Sequence, residues 1–139
     1  MRPPDEVLRE LVEDWIHKAN LDYRAAERLI QDQDRLREII AFHCQQTVEK
    51  YLKALLVRHQ VEFPKTHNIP QLLKLVARVS ASMAGSLKDA AGLSPYAVDL
   101  RYPGDFPEVL PGEEDKLFQL ARHVKDTVMT QLEAYLSDG

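Results

Sequence analysis

The stretch LREIIAFHCQQTVEKYLKALLVR, Leu36 to Arg58, decides the architecture. Ala41, Cys44, Val48, Leu52 and Leu55 recur at steps of three and four, the period of one side of an α-helix, and nothing in the stretch alternates as a strand does. His43, Gln46, Lys50 and Lys53 recur at steps of three, four and three, so they line another face of the same helix. One segment thus carries a core-facing side and a polar side dense in imidazole, amide and ammonium groups.

The same period continues outward. Upstream, Val7, Leu8, Leu11, Val12, Trp15, Ile16, Ala19, Tyr23, Ala26, Leu29 and Ile30 recur at three- and four-residue steps, the stripe of an amphipathic helix from about Asp5 to Ile30, with Pro3 and Pro4 tolerated at its start. The polar run QDQDRLRE marks a turn, and two long neighbours joined by a short connection pack antiparallel. Downstream, Phe63-Pro64 breaks the pattern. Asn68 then reads as an N-cap, with Pro70 in the first turn and Gln71 at capping-box spacing, ahead of a third helix through Val79. Small and polar residues from Ser80 to Ser86 predict a weak or broken end, followed by a short helical piece from Ser86 to Ala91. An irregular stretch holding four prolines comes next, Gly92 to Gly112, and a last helix runs from Glu113 to Leu136. A loop that long is functional or mobile, and Tyr96, Tyr102 and Phe106 predict that it packs down. The expectation is a single all-α domain, an antiparallel helical bundle of about five helices with a long loop packed on it.

The 139 residues suffice for a core without a staple of metal or disulfide. A single cysteine, Cys44, has no internal partner and reads as a reduced, buried thiol in a cytoplasmic protein. The N-terminus lacks a signal-peptide core, and no run approaches the roughly 18 apolar residues of a membrane span. The net charge of −4 argues against a generic nucleic-acid coat, but it is unevenly spread. Between residues 50 and 78 stand Lys50, Lys53, Arg58, Lys65, Lys74 and Arg78 against the single acid Glu62. A basic centre between acidic flanks can hold an anion locally, although such lysines also serve as plain solvated helix faces.

Three segments could carry chemistry. The His43, Gln46, Lys50 face offers donors, two-state imidazole and cations, suited to phosphate or nucleobase groups, and equally resembles the solvent side of a bundle helix. FPKTHN brings Lys65 and His67 back toward the end of that helix, or is only a capped turn. In YAVDLRYPG, Arg101 suits a phosphate and Tyr102 could stack on a base, with an Arg101–Asp99 pair and a Tyr-Pro turn as the plainer reading. No phosphate-cradling glycine loop is present, the histidines lack a metal-ligand spacing, and Cys44 lies on the apolar side of its helix, a poor place for a nucleophile. No cofactor is expected.

Taken together, AFHCQQTVEKYLKALL, FPKTHN and RYPG, with the earlier WIHKANLDYRAAERL, resemble the HEPN family of small helical domains over nearly the whole chain, Val12 to Tyr135. The resemblance implies a compact, usually dimeric bundle linked to nucleotide or RNA binding, in many members encoded beside a minimal nucleotidyltransferase in toxin–antitoxin arrangements. The positions that match the family's polar pattern are His43, Gln46, Lys50, Lys65, His67, Arg101 and Tyr102. Ribonuclease-active members carry an Arg, a short spacer and a His late in the domain. Neither Arg101 nor Arg122 is followed by such a His, and the Arg37–His43 pair stands instead at the start of the second helix. The resemblance therefore favours binding over catalysis, with a metal-independent ribonuclease and a ligand-free interaction scaffold as the alternatives.

Overall fold

The computed structural model describes residues 4–97 and 104–137. Among these, five α-helices and one 3-10 helix pack together with no strand: α1 Asp5–Ile30, α2 Arg37–Arg58, α3 Ile69–Val79, α4 Ala81–Ser86, the 3-10 helix Lys88–Tyr96, and α5 Glu113–Ser137.

In α1 the buried residues are Leu8, Val12, Ile16, Ala19, Tyr23 and Ala26, one face at helical spacing. Pro4 precedes the first turn, whose Asp5 and Glu6 complement the positive end of the helix dipole. α2 differs in kind. Thirteen of its 22 residues are buried, so it is the central helix, covered by α1, α3, α5 and the 3-10 helix rather than by one neighbour. It ends in a Schellman motif: Gln60 adopts φ 55°, Val61 N–H donates to Leu56 C=O at 2.9 Å, and Gln60 N–H to Val57 C=O at 3.0 Å.

Side-chain pairs give the directions. Trp15 lies by Lys53, Asn20 bonds Tyr51 and Asp22 bonds Lys50, so α1 and α2 are antiparallel. Tyr23 stacks on Phe118 at 5.2 Å while Arg9 sits over the Tyr135 ring, so α1 and α5 are antiparallel too. α5 consequently runs alongside α2 in the same direction, with Arg35 at Asp115 near one end and Arg58 4.1 Å above the Tyr135 ring at the other.

The connection between them is more ordered than the sequence pattern suggests. Asn68 caps α3 as expected, its Oδ1 accepting from Gln71 N–H at 3.0 Å. Where a broken end is expected, Ser80 Oγ caps a further turn by accepting from Met83 N–H at 3.1 Å, and the chain re-enters a helix. The irregular stretch does not start at Gly92. Leu87, Ala90, Leu93 and Tyr96 are all buried, and their spacing of three is the eclipsed period of a 3-10 helix, which carries the chain through Pro95. Beyond it Phe106 meets Tyr96 edge to face at 5.7 Å and Val109 is buried. Arg37 Nε donates to Val109 C=O at 2.9 Å, fastening this return segment to the start of α2. Tyr102, expected to help pack the loop, lies outside the described residues. No described helix is long and apolar enough to cross a membrane.

Candidate functional site

The polar side of α2 is held from below by carboxylates. Asp22, on the edge of the core stripe of α1, accepts from His43 Nδ1 at 2.9 Å with one oxygen and from Lys50 Nζ at 2.5 Å with the other. The two donors lie seven positions apart, two helical turns, so one carboxylate spans both. Burial alone would raise the Asp22 pKa, but the hydrogen bonds and charges of His43 and Lys50 outweigh it and hold the carboxyl below its ordinary 3.8. Tyr51 donates to Asn20 on the same α1–α2 seam.

A second network adjoins the first. Gln46 Nε2 donates to Gln45 Oε1 at 2.7 Å, and Gln45 Nε2 donates to Glu49 Oε1 at 3.0 Å. The same Glu49 oxygen meets His67 Nδ1 at 2.7 Å, and the other accepts from Lys53 Nζ at 3.0 Å. Glu49 and Lys53 are nearly sealed, with side chains 4% and 8% exposed. The Lys53 ammonium lies 5.4 Å from the Trp15 ring centre and 5.7 Å from that of Phe63, so two aromatic faces and one carboxylate replace its water. Lys53, expected on the open polar face, is therefore part of the buried seam between α1 and α2, and this corrects the sequence reading.

The structure thus joins His43 to Lys50 through Asp22, and Gln46 to His67 through Gln45 and Glu49. Lys65 is exposed two residues before His67 and makes no ion pair among the described residues. Arg101 and Tyr102 lie outside the described residues. Lys50 reaches the surface with its charge already answered by Asp22, so the face is less cationic than its residue types imply. What it offers instead is orientation. In both His43 and His67 a carboxylate engages Nδ1, which fixes the ring and directs Nε2 away from the core. With Nδ1 protonated, Nε2 of His43 is an acceptor, and no described residue bonds to it.

Sequence reasoning missed Asp22, Gln45 and Glu49, and placed Lys53 on the open face. A signal existed in part: Gln45 and Glu49 fall beside Cys44 and Val48 on the core side of α2, where polar residues require partners. Cys44 is sealed in the core and burial pushes its thiol up to about 12, so it stays protonated and is no nucleophile. Among the described residues no group of His, Cys, Asp and Glu could hold a metal ion.

The family model described as HEPN domain matches residues 12–131. No curated protein and no solved structure matched the chain.

Proposed function

The chain belongs to the HEPN domain family, and from that premise we propose that it is a nucleotide- or RNA-binding module whose site is the outer face of α2. The observation that carries this reading is the pair of carboxylate-anchored imidazoles, His43 on Asp22 and His67 on Glu49, with the Gln46 amide linked into the same network. Rings and amides fixed in advance suit the donor and acceptor edges of bases and ribose hydroxyls, because binding then costs little side-chain entropy. Lys65 supplies a cation for phosphate, and Arg101 and Tyr102 complete the site with a guanidinium and a stacking ring. The module works in the cytoplasm as a homodimer, with a minimal nucleotidyltransferase as its protein partner.

Thermal unfolding with mono- and dinucleotides and a short RNA tests this reading. A ligand at a hundredfold excess over its Kd stabilises by about 2.7 kcal/mol, which raises Tm by roughly 5–10 °C in a chain of this size. No rise with any of them contradicts the reading and assigns the face to a protein partner. A second reading, metal-independent RNA cleavage, draws on one observation: Asp22–His43 is a carboxylate–imidazole pair able to move a proton. Labelled RNA incubated with a chelator decides it, since cleavage that disappears in His43→Ala establishes that activity and intact RNA rejects it.

A further inference from the structure

α1 carries a second pattern, turned away from the core. Val7, Leu11 and Leu21 are 39%, 44% and 51% exposed. Together with the exposed Asp14 and Lys18 and the half-buried Ala25 they recur at alternating steps of four and three. That is the a/d spacing of a heptad repeat, with apolar residues toward both ends and an acid and a base at its middle.

The seam is complementary to itself when reversed. Laid antiparallel on a second copy, about a two-fold axis level with Ile16, Leu11 meets the partner's Leu21 and Val7 meets the partner's Ala25. In the same register Asp14 meets the partner's Lys18. The flanking positions agree: exposed Glu10 faces the partner's Arg24, while His17 meets its own copy beside the axis. Two-fold symmetry repeats each of these contacts, so every apolar seam position finds an apolar partner and every seam acid finds a base. Asp14 and Lys18 also stand at the i,i+4 spacing of a pair within one helix, and Lys18 lies 5.7 Å from the Trp15 ring centre, so it is the apolar matches at both ends of the seam, taken together with the charges, that point to a second copy.

We propose that α1 pairs antiparallel with α1 of a second copy through this seam. The proposal rests on the homodimer reading and deepens it by naming the face. Trp15 and Asp22 border the seam on the side toward α2, as the Lys53 and Lys50 contacts require. Pairing therefore sets the polar faces of both copies along the margins of one interface.

Charge exchange tests it. Sedimentation of the parent gives twice the 16.0 kDa chain mass. Asp14→Lys opposes Lys18 across the axis, Lys18→Asp opposes Asp14, and each variant alone dissociates at least about tenfold more readily while its circular dichroism stays helical. Mixing the two variants restores the dimer, because every seam pair is then of opposite sign although each chain keeps a like-charged pair along its own helix. Leu11→Glu dissociates the parent without rescue by mixing. A dimeric parent with singly substituted chains that remain equally dimeric overturns the face while leaving the homodimer reading intact. A monomeric parent overturns both.

Discussion

Asp22 is the residue on which most of the candidate site depends, since both its oxygens are occupied by groups from α2. Its folded pKa lies below the ordinary 3.8, so its contribution to stability is complete above that value and is lost as pH falls through the folded one. Asp22→Asn should therefore cost about 1.5–3 kcal/mol near neutral pH and progressively less in acid, where the parent carboxyl is protonated as well. Denaturant unfolding of both proteins across that range checks the sign, and a difference that grows in acid would refute it. Glu49 holds a more deeply buried position, and Glu49→Gln leaves the Lys53 ammonium sealed without a counter-charge, a loss of about 3–5 kcal/mol. Adding Lys53→Met should recover much of that loss; equal stability of the single and double variants would mean that the pair is not coupled. His43, Gln46 and Lys50 were legible as one face because helical spacing is local information. Their carboxylate partners were not, because a helical period gives the direction in which Lys50 points and not what α1 places there. Arg101 and Tyr102 were legible as residue types only.

At the scale of elements, the end of α2 stores a small strain. Gln60 occupies the left-handed position of the Schellman motif, a conformation that costs a side-chain-bearing residue about 1–2 kcal/mol and glycine almost nothing. Gln60 is exposed, so Gln60→Gly gives up no packing. After the greater entropy of glycine in the unfolded chain is set against it, the substitution should stabilise by about 0.5–1 kcal/mol. A lowered Tm would mean that the Gln60 side chain has a role of its own. The long helices α1, α2 and α5 were readable to within a residue, because each repeats its apolar period over more than five turns. The 3-10 helix was not, since Leu87, Ala90, Leu93 and Tyr96 follow a period of three across Gly92 and Pro95, residues that ordinarily end helices. The Ser80 cap was equally hidden, because a serine after a helix signals its end as readily as the start of the next.

For the whole molecule, a net charge of −4 coexists with a strongly basic stretch from residue 50 to residue 78, and the fold turns part of that charge inward. Lys50 and Lys53 are answered by Asp22 and Glu49, whereas Lys65 stays exposed beside His67. The proposed site would read a ligand mainly through fixed rings and amides, with few phosphate contacts. Its affinity should fall with salt, but with a shallow slope of a few released ions instead of the steep slope of a polycation. The measurement that tests the account most directly is a titration of mono- and dinucleotides and a short RNA against the parent, Arg101→Ala and Lys88→Ala, the last an exposed lysine of the 3-10 helix. The account predicts saturable binding by the parent, a loss of about 1.5–3 kcal/mol in Arg101→Ala, on the order of tenfold to hundredfold, and none in Lys88→Ala. Equal weakening by both substitutions, or no binding by the parent, would contradict it.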